Sequence, residues 1–104
     1  MLTYTNKRGK DVPVIVTQHA KTRWLQRYKR AYPDKDGKDP GFTRLQEYFS
    51  RATRIEPKTR KYKKRLKRHG KDTLYFKYND FVFIVQDGTL VTIELGGVLT
   101  RQLN

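Results

Sequence analysis

Apolar residues change their spacing twice along this chain, from extended to helical and back. Residues 2–5 and 12–16 alternate or run as short extended stretches around the turn-prone Lys7-Arg8-Gly9-Lys10. This predicts a hairpin, or an arm followed by a strand, with Pro13 favouring an edge position. From Gln18 to Ala31 the spacing switches to three and four: Ala20, Trp24, Leu25, Tyr28 and Ala31 share one helical face. Thr17 stands where an N-cap belongs. A polar break over residues 33–38 precedes Asp39-Pro40, which reads as an N-cap with proline in the first helical position. Phe42, Leu45, Tyr48 or Phe49, and Ala52 then carry a second helical face to about Thr53, and Pro57 closes it.

The last third of the chain reads as strands. Residues 74–78 and 81–85 are separated by Asn79-Asp80, and 81–85 from 89–95 by Asp87-Gly88. Two-residue links of this kind favour tight hairpins and hence a three-stranded antiparallel meander. Together these elements predict an α+β fold: a small antiparallel sheet, made of the meander plus the N-terminal strand or hairpin, with two helices packed on one face. A single domain over 1–104 is expected at this length.

Composition narrows the chemistry. With 36% hydrophobic residues the core is small and depends on seven Tyr, five Phe and one Trp. The absence of cysteine excludes disulfides, thiolate metal sites and cysteine nucleophiles. No apolar run approaches the roughly 18 residues of a membrane span, and the N-terminus lacks a signal-peptide pattern. A cytoplasmic protein that does not engage membranes is the expectation.

Charge adds a stronger constraint. The 24 Lys+Arg against 10 Asp+Glu leave a formal net charge of +14. Nine of those cations lie between Lys58 and Lys71 with no acid among them. Like charges this dense repel, and a polyanion relieves the repulsion while releasing its counterions. Arg60, Lys61, Lys63, Lys64, Arg65, Lys67, Arg68 and Lys71 are therefore candidate contacts to nucleic acid or to an acidic partner. Tyr62 within the run and Tyr75 just after it are candidate stacking platforms for unpaired bases. Alternation puts Leu74, Phe76 and Tyr78 on one face of their strand and Tyr75 with Lys77 on the other. With Phe76 assigned to the core, Tyr75 is left free to bind.

The stretch Thr17-Gln18-His19-Ala20-Lys21-Thr22-Arg23-Trp24-Leu25-Gln26-Arg27 resembles the S/T-x-H-A-x-x-R-x-x-x-R opening of small bacterial and phage proteins of the DUF4258 type. These are grouped with RelE-like, BrnT-like and colicin-type folds in the barnase–EndoU–colicin–RelE class. The match rests on His19, Ala20, Arg23 and Arg27, and Val91-Thr92-Ile93 echoes the strand that often closes such folds. The resemblance implies an RNA-directed, toxin-like protein, in several relatives a metal-independent ribonuclease. The basic insertion departs from that pattern, and no catalytic Tyr or Arg of the RelE kind can be placed near the C-terminus.

His19, Arg23 and Arg27 recur every four residues, so one helix projects them along one stripe. Metal-free RNA cleavage needs a base or acid, which His19 can supply, and cations for the charged phosphate, which Arg23 and Arg27 can supply. A capping or packing histidine beside solvated arginines explains the same residues without catalysis, and that reading is preferred. No cofactor is implied. No metal site is either, since aligning Gly37 with the invariant glycine of a calcium loop puts Tyr32 and Thr43 where Asp and Glu belong. The leading expectation is a basic RNA-binding protein, RNA favoured over DNA. The alternative is a phage-type or mobile-element effector that binds and inhibits an acidic host protein.

Overall fold

The computed structural model describes residues 2–33, 41–55 and 73–95. They form β1 (Leu2–Thr5), β2 (Asp11–Val16), α1 (Gln18–Ala31), α2 (Gly41–Arg51), β3 (Thr53–Ile55), β4 (Thr73–Tyr78), β5 (Phe81–Gln86) and β6 (Thr89–Leu95). The first helix has the predicted bounds, because Thr17 is extended (ψ 159°) and its Oγ1 accepts the Ala20 amide at 3.0 Å. The meander β4–β5–β6 pairs antiparallel, with Tyr78 opposite Phe81 and Gln86 opposite Thr89 across the two short turns.

The strand arrangement differs from the expected small antiparallel sheet. Six strands lie in the order β1-β2-β6-β5-β4-β3, and β2 runs parallel to β6. The N-terminal hairpin is joined to the meander because the Ile15 amide donates to the Gly88 carbonyl (2.9 Å) and the Thr17 amide to the Leu90 carbonyl (3.4 Å). Pro13 therefore sits in an interior strand, contrary to the edge expected of it. Alternate amides of a strand point the same way, so the Pro13 nitrogen faces the side of Ile15 and Thr17. It does so beyond the register in which Ile15 stands opposite Thr89, so no ladder bond is lost.

The second helix also ends earlier than its apolar spacing suggested. The Ala52 amide donates back to the Phe49 carbonyl (3.1 Å), and the chain continues as β3 along the edge of β4, with Ile55 opposite Tyr75. Asp39 and Pro40, the expected helix start, lie outside the described residues.

Both helices bury onto one face of the sheet. Ala20, Trp24 and Tyr28 of α1 and Leu45, Tyr48 and Phe49 of α2 meet Phe76, Phe81, Phe83, Val85, Leu90, Ile93 and Leu95. Trp24 is central: its ring centroid lies 5.1 Å from Phe81, 5.3 Å from Tyr28 and 5.5 Å from Tyr48. A β-bulge opposite Ile84 and Val85 inserts Val91 as an extra residue in β6. Leu90 and Ile93, three apart, consequently both face the helices, while Val91 joins Tyr75, Val82, Ile84 and Ile55 on the opposite face.

Candidate nucleic-acid interface

Helix α1 contains His19, Lys21, Arg23, Arg27, Lys29 and Arg30 and no acid. Its first turn is clamped to the sheet, because the Thr17 hydroxyl donates to the Leu90 carbonyl at 3.1 Å while its oxygen caps the helix. That anchor, and the burial of Ala20, Trp24 and Tyr28, fix which way the remaining side chains point. One flank, directed at β6, carries His19, Arg23, Arg27 and Arg30. The other, directed at α2, carries Gln18, Lys21 and Leu25.

The structure brings the three residues of the His19 motif to one flank. Arg23 Nε donates to His19 Nε2 at 3.5 Å and its Nη1 to Gln26 Oε1 at 3.0 Å. In this geometry His19 Nε2 is an acceptor, so its lone pair is turned toward a guanidinium. Arg27 Nε donates to the Ile93 carbonyl at 3.4 Å, which holds the flank to the last strand. Burial lowers the Arg27 pKa from its usual value, and the neighbouring charges of Arg23 and then Arg30 lower it further. Lys29 and Arg30 occupy the last turn, where the helix dipole favours cations.

Arg60, Lys61, Tyr62, Lys63, Lys64, Arg65, Lys67, Arg68 and Lys71 lie outside the described residues. Tyr75 requires a correction. Its side chain does take the face opposite Phe76, but that face is also packed, and Tyr75 is only 1% exposed beside Val82 and Ile84. A ring so enclosed offers no stacking surface. Aromatic residues on both sides of β4 are core residues here.

Phe42 departs from expectation in the opposite direction. Although it stands three residues before the buried Leu45, it is 44% exposed in the first turn of α2. Lys21 Nζ lies over its ring, 5.9 Å from the centroid. Together with Gln18, Trp24, Leu25, Gly41 and Leu45 these residues line a cleft of about 290 Å³ between the helices. The sequence reading missed this site. An aromatic at the extreme end of an amphipathic face was the one available signal, and it carries no information about which helix lies beside it. A second cleft, about 350 Å³, runs between β1 and the α2–β3 corner, lined in part by Thr3, Tyr4, Ser50 and Arg54.

Among the described residues there is no cluster of three or more His, Asp or Glu side chains fit to hold a metal ion, and no helix is long and apolar enough to cross a membrane. The chain matches no protein-family model, no curated protein and no solved structure.

Proposed function

We propose that this protein binds RNA without cleaving it, through the arginine flank of α1 acting with the basic residues of 58–71. The observation that carries the reading is the crowding of Arg23, Arg27 and Arg30 on an acid-free helix, where the outer two charges work against the middle one. A row of phosphates reverses that repulsion and releases counterions. Arginine also suits phosphate through paired, parallel hydrogen bonds. The preference for RNA over DNA rests on the resemblance of His19, Ala20, Arg23 and Arg27 to RNA-directed proteins. Non-catalytic binding is favoured over cleavage because the contact that His19 Nε2 makes is to Arg23, which a packing histidine beside a solvated arginine explains without chemistry.

The test is the affinity for a 20-nucleotide single-stranded RNA as a function of salt, for the native protein and for R23Q/R30Q. Neither arginine belongs to the buried core, and circular dichroism verifies that the variant folds. Each lost phosphate contact lowers the log–log salt slope by about 0.7 for a single strand, so the double variant should lose about 1.4. A single acidic protein recovered stoichiometrically from nuclease-treated lysate, with no salt-dependent RNA binding, would overturn this reading in favour of a host-protein inhibitor.

A further inference from the structure

We infer that the cleft between the two helices is a subsite for one unpaired nucleobase, stacked on Phe42 with its phosphate on Lys21. The inference rests on the RNA-binding reading and adds to it the state of the ligand: single-stranded, with at least one base turned toward the protein.

Three features converge on this occupant. Phe42 is the large aromatic side chain left substantially exposed among the described residues, the others being buried or half-buried. An exposed ring capped by a cation can exchange that cap for an unpaired base, the ring taking the π-face and the displaced Lys21 ammonium the backbone phosphate. The volume, about 290 Å³, sits at the lower edge of the roughly 300–1,000 Å³ range of ligand pockets. That suits one flat ring better than a larger ligand. Gln18 at the rim adds an amide with both donor and acceptor for a base edge.

Charge and spacing link the subsite to the arginines. Lys21 and the His19–Arg23–Arg27 row lie on opposite flanks of the same helix, separated by about one helix width, on the order of 10 Å. A single strand crossing the exposed side of α1 at Thr22 and Lys29 would meet the arginines with its phosphates and reach the cleft within a few nucleotides. A stable duplex keeps its bases stacked inside and cannot place one on Phe42.

Trp24 makes the idea testable, because it is the one tryptophan of the chain and forms the floor of this cleft. The probes are a decauridylate, an abasic ribose-phosphate oligomer of equal length, and a deoxyuridylate decamer. The full-length protein is titrated with each, following Trp24 fluorescence and, separately, oligomer anisotropy. The expected result is quenching by the base-bearing oligomers alone, with the uridylate binding about tenfold more tightly than the abasic chain, as one stacked base allows. Phe42→Leu should bring the two affinities together, and Phe42→Tyr should restore the difference. Equal response to the ribose and deoxyribose decamers assigns the subsite to single strands of either sugar. Equal affinity for uridylate and abasic chain, unchanged in Phe42→Leu, overturns the subsite while leaving RNA binding intact. Binding of none of the oligomers overturns both.

Discussion

The indole N–H of Trp24 donates to the Gly41 carbonyl at 3.3 Å, so the ring at the centre of the core also ties α1 to the first residue of α2. Trp24→Phe keeps an aromatic ring among Tyr28, Tyr48 and Phe81 but removes that bond and leaves a void. The expected loss is about 1–3 kcal/mol of unfolding free energy, read by urea denaturation followed by circular dichroism. Because Phe42 follows Gly41, the same variant should also weaken binding to base-bearing oligomers more than to abasic ones.

Ile15 and Pro13 provide a paired test of the parallel junction. Ile15 is 69% exposed, so its side chain contributes little, yet its amide donates to the Gly88 carbonyl. Ile15→Pro should cost about 1–3 kcal/mol by orphaning that acceptor. Pro13→Ala, whose restored amide faces no partner in β6, should change stability by well under that amount. Equal effects in a denaturant titration would argue against the β2–β6 pairing.

The Asp87-Gly88 turn has φ of 50° and 73°, left-handed conformation at both central positions. A Cβ at Gly88 meets only ordinary contact, the Pro13 carbonyl oxygen at 3.6 Å, so the cost of Gly88→Ala is conformational. It should lie near 1 kcal/mol or somewhat above, as a shift of the thermal midpoint. Gly88→Asn, which tolerates this region better, should recover part of it.

These three sites show where sequence reading worked and where it stopped. Local signals were legible: the Thr17 cap, the helical face of Ala20, Trp24 and Tyr28, and the links at Asn79-Asp80 and Asp87-Gly88. Non-local pairing was not. Nothing near Ile15 announces a partner more than seventy residues away, and nothing near Thr53 says that β4 offers an edge there. Strict alternation misleads across the Val91 bulge, where Leu90 and Ile93 face the same way. Tyr75 shows a related limit: alternation assigns it a face but not the Val82 and Ile84 side chains that lie against it. Of the candidate site, His19, Arg23 and Arg27 were visible because they share one helix. Lys21 and Phe42 were not, because only tertiary packing makes them neighbours.

Tyr48 makes stability sensitive to alkali. Burial raises its phenol pKa well above the usual value near 10, with the Tyr32 hydroxyl at 3.4 Å adding to the effect. A raised folded-state pKa means that the contribution is whole below about pH 10 and is lost as pH climbs through that value toward the higher one. Unfolding free energy should therefore fall above pH 10, by at most about 1.4 kcal/mol per pH unit for one proton. Tyr48→Phe should flatten that decline, measured by urea midpoints between pH 9 and 11.

Binding without chemistry has a simple readout at His19. RNA incubated for hours with excess native protein should remain full-length on a denaturing gel, and His19→Ala should bind it within about twofold of native, as expected for the loss of one weak contact. A cleavage ladder that disappears in His19→Ala would make this protein a ribonuclease.

The parallel seam between β2 and β6 also dictates an order of assembly. The clamp that orients α1, Thr17 on Leu90, joins residues 73 positions apart, so it cannot close until the meander exists to receive it. The meander itself is built from neighbours and can form early, whereas the hairpin and its helix must find it across a large sequence separation, which costs chain entropy. Refolding should therefore be limited by docking of the N-terminal third. Until that docking occurs, the arginine row has no fixed geometry, and recognition of a ligand through it waits on completion of the sheet.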